Sequence, residues 1–92
     1  MVKEQFEALF GMYTEAVVSI RGNDIVYYNG AARRLIPNIG KIKPTNIFPS
    51  AVLELESKNF IGELDIAGKR STYSATRFSG FQIFSVLSAV EN

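Results

Sequence analysis

The chain has 92 residues, of which 47% are hydrophobic and 12% aromatic, and its ten basic and nine acidic side chains give a net charge of +1. A chain of this length closes a single hydrophobic core, which predicts one domain over residues 1–92. Its hydrophobicity excludes a disordered chain, and its balanced charge argues against a nucleic-acid partner. It contains no cysteine and no histidine, which excludes disulfides, thiolate zinc sites, histidine-ligated haem and histidine-based catalysis.

The amino-terminal residues lack the apolar core of a signal peptide. No stretch of the sequence approaches the roughly 18 apolar residues that a membrane-spanning helix needs. We therefore expect a cytoplasmic domain with no membrane insertion of this segment. The absence of cysteine is compatible with a reducing compartment.

The first predicted element is an amphipathic helix over residues 2–13. Its apolar positions follow the i, i+3, i+4, i+7 spacing of one helix face: Phe6, Leu9, Phe10 and Tyr13. Gly11 weakens the last turn by roughly 1 kcal/mol relative to alanine, so the helix is expected to fray near Met12.

A β-hairpin follows, with strands predicted over residues 16–21 and 25–29. Both runs are rich in β-branched or aromatic residues, and the turn formers Gly22-Asn23-Asp24 separate them. Strict alternation places Val26 and Tyr28 on one face of the second strand.

A short helix up to residue 36 is predicted next, with Asn29 as its amino-terminal cap and no other role for that side chain. Residues 38–49 contain glycine and prolines and are predicted to form mostly loop, with Ile47 and Phe48 as apolar anchors. A further helix over 51–57, capped by Ser50, completes the middle of the chain.

Three strands are predicted in the last third, over residues 60–67, 70–78 and 81–90. Only the last strand is apolar on both faces, with Phe81, Ile83 and Leu87 on one side and Phe84, Val86 and Val90 on the other. A strand buried on both faces belongs in the middle of a sheet, so we expect it between the first strand and its own hairpin neighbour. Its second apolar face then needs a cover, either the first helix or a second subunit.

The predicted fold class is therefore α+β, with a five-stranded antiparallel sheet, short helices on one face and an amphipathic helix at the amino terminus. This order resembles the PAS domain family over nearly the whole chain, with residues 16–90 as its core. The local resemblance is strongest in AVVSIRGNDIVYYNGAARRL (16–35), which is similar to the first PAS hairpin and the Asn-x-Ala-Ala-x-x-Leu start of its helix. A second similarity runs from Gly62 to Tyr73.

The resemblance implies a sensory and dimerisation domain in signal transduction, with a sensor histidine kinase as the expected parent and a downstream domain in the same polypeptide. It implies a ligand pocket lined by Val26, Tyr28, Phe48 and Phe60. It also implies a homodimer interface formed by Phe6, Leu9, Phe10 and Tyr13.

Two departures from the family pattern limit these implications. The segment over 37–59 is short for the middle helices of the family, which argues against a roomy cavity. Residues 89–92 lack the Asp-x-Thr at which many PAS domains pass into a signalling helix. No haem or flavin is expected, because haem-binding members of the family use a histidine ligand and flavin photosensors use a cysteine. A flavin contact by Gln82 is disfavoured. Binding of a small metabolite remains an alternative.

Other polar groups do not form a recognisable catalytic site, and no enzyme is expected. Glu54 and Glu56 point in different directions on a helix, and Glu63 and Asp65 form the polar side of a strand. The basic side chains Arg33, Arg34, Lys41 and Lys43 are interpreted as a solvated face. Two alternatives remain: a non-sensing interaction module whose core is filled by its own side chains, and a small α+β ligand-binding domain or enzyme.

Overall fold

The computed structural model describes residues 2–54, 59–66, 68–78 and 80–88. The regular elements in chain order are α1 (Val2–Phe10), β1 (Ala16–Arg21), β2 (Asp24–Tyr28), α2 (Gly30–Leu35), two 3₁₀ turns (Ile39–Lys41 and Pro44–Asn46), α3 (Ser50–Leu53), β3 (Asn59–Ile66), β4 (Lys69–Phe78) and β5 (Phe81–Ser88).

All five strands form one antiparallel sheet in the order β2-β1-β5-β4-β3. The last strand therefore lies at the centre, between β1 and β4, as its two-sided apolar pattern predicts. Gly68 and Gly80, in the turns before β4 and β5, have positive φ angles of 81° and 86°, a conformation that glycine adopts without steric cost. The α+β class and the five-stranded antiparallel sheet are thus confirmed.

Several element boundaries differ from the sequence prediction. Helix α1 ends at Phe10 rather than at residue 13, one turn earlier. The predicted cap at Ser50 is wrong: Ser50 is the first residue of α3, and Pro49 occupies the cap position without a side-chain hydrogen bond. The second half of the predicted 51–57 helix and the Val90 position lie outside the described residues.

The register of the first hairpin corrects the predicted faces of β2. Ser19 pairs with Tyr27, but Ile20 pairs with Ile25, so Val26 is an extra residue in β2. This bulge shifts the alternation by one residue. Ile25 and Tyr28, rather than Val26 and Tyr28, therefore pack against the main core.

The main core lies between the sheet and the layer formed by α2, the 3₁₀ turns and α3. Its side chains come from both layers, and Ala32, Ile39, Phe48 and Phe84 are at most 1% exposed. The short helices therefore cover one face of the sheet, which is the predicted arrangement.

Helix α1 lies on the other face of the sheet, which we call the outer face. Phe6 is only 6% exposed, and its ring lies 5.6 Å from that of Tyr27 and 5.3 Å from that of Phe81. The first helix is thus one cover of the outer face. In the described ranges, none of the helices has the length and apolar character needed to cross a membrane.

Candidate functional site

The outer face carries an apolar groove between α1 and strands β4 and β5. The groove has a volume of about 330 Å³. It is lined by Phe6, Leu9, Phe10, Ser74, Thr76, Phe78, Ile83 and Ser85. None of these side chains carries a charge, so the groove is suited to an apolar partner surface.

Six large apolar side chains of the described residues are exposed, and five of them lie on α1, against α1 or on the outer face of the sheet. The six are Leu9, Met12, Tyr13, Ile61, Phe78 and Leu87, with exposures between 48% and 97%. The last three occupy outer-face positions of β3, β4 and β5, opposite in alternation to the core residues of the same strands. A set of exposed apolar groups that clusters on one face indicates an interaction surface rather than scattered surface residues.

The four predicted interface residues fall into two groups. Phe6 is buried within its own chain and belongs to the contact between α1 and the sheet. Leu9 is 63% exposed and Tyr13 is 48% exposed, whereas Phe10 is partly buried. The ring of Tyr13 meets that of Phe10 edge to face at 5.3 Å. Leu9, Phe10 and Tyr13 are therefore accessible to a partner, and Phe6 is not.

Asn29 joins α1, β1 and α2 through four side-chain hydrogen bonds. Its Oδ1 accepts from the backbone amides of Ala32 (2.9 Å) and Val17 (3.0 Å). Its Nδ2 donates to the carbonyl oxygens of Phe10 (3.0 Å) and Glu15 (2.9 Å). The predicted cap is confirmed, but the prediction that capping is its sole role is wrong. This buried amide fixes the carboxyl end of α1 to the sheet and to α2.

A second polar tie holds the middle of α1. The Tyr27 hydroxyl donates to Glu7 Oε1 at 2.9 Å. Burial, followed by the hydrogen bond and the charge of Glu7, raises the pKa of Tyr27 to about 12. Alternation along β2 places Tyr27 on the face opposite to Tyr28, but it does not identify Glu7 of α1 as its partner, because that contact forms only in the folded chain.

Three of the four predicted pocket residues, Tyr28, Phe48 and Phe60, lie in the main core or pack against it. Phe48 stacks on Phe84 with ring centroids 4.0 Å apart and an interplanar angle of 17°. Phe60 lies 6.1 Å from Tyr73, whose ring also contacts Phe48 at 5.9 Å. Burial raises the pKa of Tyr73. Aromatic rings thus fill the space beneath the helical layer.

The other two predicted pocket residues, Val26 and Tyr28, lie in β2. Tyr28 is partly buried and lines surface clefts next to Gly40. Val26 occupies the bulge, and it is not among the residues that pack against the main core.

Gln82, Glu63 and Asp65 each have a polar partner. Gln82 is buried on the core side of β5, and its Nε2 donates to the carbonyl oxygen of Val52 at 3.4 Å. The guanidinium of Arg70 contacts Glu63 and Asp65 at 3.3 and 3.4 Å. Within the described ranges, no group of three or more acidic side chains could hold a metal ion.

Comparison of the chain with protein-family models, curated proteins and solved structures finds no match. The outer face, the polar ties of α1 and the filled core are therefore the features of the molecule that bear on its function.

Proposed function

We propose that this chain is a PAS-type signal-transduction domain that works as a homodimer through α1 and the outer face of the sheet. The observation that carries the proposal is the apolar groove beside α1. It lies on the side of the sheet away from the main core, and five of the six exposed large apolar side chains of the described residues lie on that same side. Burying a large aliphatic or aromatic side chain stabilises an assembly by roughly 1.5–3 kcal/mol.

A second copy is the favoured partner, because closed two-fold dimers are the commonest assembly of soluble chains. In a two-fold interface the same patch serves both subunits. The outer face offers both halves of such a contact, since a projecting Leu9 and an open groove lie next to each other.

The polar ties of α1 supply a route by which a signal could reach the interface. Asn29 connects the end of α1 with β1 and α2, and Tyr27 connects Glu7 with β2. A change in the packing of the helical layer would alter the position of α1 and bias the dimer between two arrangements. The expected output is a downstream domain of the same polypeptide, such as a histidine kinase in the cytoplasm.

The packing beneath the helical layer favours a second candidate, an interaction module that senses no ligand. Phe48, Phe84 and Tyr73 pack against one another where the resemblance implies a pocket. Thermal unfolding in the presence of a metabolite library separates the two functions. A compound that raises the melting temperature in proportion to the logarithm of its concentration supports sensing. A chain that no compound stabilises supports the interaction module. The absence of histidine and cysteine leads us to propose, for both functions, that no haem or flavin is bound, which an absorption spectrum of the purified protein tests.

Sedimentation equilibrium from micromolar to millimolar concentration tests self-association. The test variant is Leu9→Glu with Phe78→Glu, both at side chains more than 60% exposed, so folding should be preserved. We expect the wild type to dimerise and the dissociation constant of the variant to rise at least tenfold. The control is a double variant with the same charge change on the helical side, Thr45→Glu with Ser50→Glu, both at exposed positions. A wild type that stays monomeric throughout the range would refute the dimer.

A further inference from the structure

We propose that a cleft on the helical side of the domain binds a small phosphomonoester. The cleft has a volume of about 470 Å³, which is within the range of small-molecule sites. It is lined by Tyr28, Arg33, Pro37, Asn38, Gly40 and Lys41. It lies outside the aromatic core and away from the groove beside α1, so the inference does not depend on self-association.

The charge distribution along the chain points to an anion. Residues 25–53 contain Arg33, Arg34, Lys41 and Lys43 but no Asp or Glu, so the helical layer carries a charge of +4 in a chain whose net charge is +1. Excess charge of one sign around a concave site raises the local concentration of oppositely charged ligands.

The two cations in the cleft are not neutralised within the described part of the chain. Lys43 forms an ion pair with Asp24 at 3.0 Å. In contrast, the side chains of Arg33 and Lys41 form no ion pair or hydrogen bond with any other described residue. Their charges are therefore available to a ligand.

The remaining groups of the cleft favour phosphate over a smaller anion. A Cβ atom at Gly40 would lie 2.9 Å from the Tyr28 hydroxyl, so the glycine allows this hydroxyl to lie close to the first 3₁₀ turn. The hydroxyl, the Asn38 amide, the guanidinium and the ammonium are all hydrogen-bond donors, and no carboxylate lines the cleft. Phosphate offers several acceptor oxygens to such a set, and arginine binds it in bidentate geometry.

The size and walls of the cleft indicate that the phosphate carries an organic group. The Tyr28 and Pro37 rings supply apolar surface beside the donors, against which a ring or short chain of the ligand can pack. Phenyl phosphate combines both features and serves as the probe.

The test is a titration of the full chain with phenyl phosphate, followed by amide chemical shifts at constant ionic strength. We expect saturable shifts of the amides of residues 33–41. Arg33→Ala and Lys41→Ala should each weaken binding roughly two- to fivefold, as for exposed ion pairs, and the double variant roughly four- to twenty-five-fold. Arg34→Ala with Lys69→Ala removes the same charge at exposed positions outside the cleft and should leave binding unchanged.

Three results would overturn the proposal. Absence of saturation with phenyl phosphate is the first, and equal binding by the cleft variant and its charge-matched control is the second. Equal binding of benzoate at the same ionic strength is the third, because it would show that any anion suffices. Vesicles containing phosphatidic acid test the other source of the same chemistry. Binding to those vesicles without saturable binding of phenyl phosphate would assign the charge to a membrane surface and reject the small-molecule site.

Discussion

Replacing Asn29 by alanine tests how firmly α1 is fixed to the rest of the domain. The substitution removes one acceptor that serves the amides of Val17 and Ala32 and one donor that serves the carbonyls of Phe10 and Glu15. Loss of the helix cap costs about 1 kcal/mol. A buried amide left without a partner costs about 1–3 kcal/mol more.

Together these losses predict a destabilisation of about 3 kcal/mol, a large part of the 5–15 kcal/mol typical of a whole domain. At roughly 4–8 °C per kcal/mol for a domain of this size, the melting temperature should fall by more than about 10 °C. Urea unfolding monitored by circular dichroism measures the change. Asn38→Ala is the matched control, because Asn38 precedes a 3₁₀ turn without a side-chain cap bond and should change stability by less than about 0.5 kcal/mol.

Asn29→Asp separates the two halves of this network. An ionised aspartate still accepts from the two amides but cannot donate to the two carbonyls. Hydrogen exchange should therefore accelerate in α1 for both variants, whereas protection of the Ala32 amide should fall only in Asn29→Ala. Unchanged exchange of α1 in Asn29→Asp, or a cost below about 1 kcal/mol for Asn29→Ala, would refute the assigned role.

Three further predictions concern packing and titration. Gly62→Ala should destabilise the domain by about 1–3 kcal/mol, because its Cβ would lie 2.8–3.0 Å from the side chain of the buried Tyr73. Gly30→Ala in α2 has room for the added methyl group and should stabilise the domain by about 0.4–1 kcal/mol. Equal effects of the two substitutions in thermal unfolding would contradict this prediction. Ser19→Ala should be neutral or stabilising, because its buried hydroxyl has no hydrogen-bond partner among the described residues. Ser71→Ala loses the hydrogen bond of 3.1 Å to the carbonyl oxygen of Lys69 and should destabilise the domain by about 1 kcal/mol. The reverse order of stability in urea unfolding would be evidence against both assignments. The Tyr27 pKa is raised from 10.0 to about 12, so its stabilising contribution is complete below pH 10 and is lost as the pH rises toward 12, with a slope of up to about 1.4 kcal/mol per pH unit. Tyr27→Phe should remove that component, and an unchanged slope between pH 10 and 12 would count against the buried hydroxyl.

Much of the sheet could be predicted because its signals are local. The apolar residues on both faces of β5 identify a central strand, and the turn formers after β1 identify the first hairpin. The bulge at Val26 could not be predicted, because alternation along one strand does not reveal an extra residue opposite its partner. The bulge therefore places Ile25, rather than Val26, on the core side of β2 together with Tyr28.

The candidate site was only partly predictable for a related reason. The spacing of Leu9 and Phe10 identifies an apolar helix face, but not which of its residues the domain itself buries. Phe6 is covered by rings from β2 and β5, which become neighbours of α1 only in the folded chain. Asn29 likewise binds Phe10 and Glu15, which lie 19 and 14 residues away in sequence. Such contacts depend on tertiary structure and have no local signature.

Cross-linking at a single introduced thiol tests most directly the claim that α1 and the outer face form the dimer contact. The chain has no cysteine, so Leu9→Cys and Thr45→Cys each carry one thiol, on opposite sides of the sheet. Under mild oxidation at equal protein concentration, a dimer contact through α1 predicts disulfide-linked dimers for Leu9→Cys and monomers for Thr45→Cys. Equal cross-linking of the two variants, or linkage only through Thr45→Cys, would contradict it.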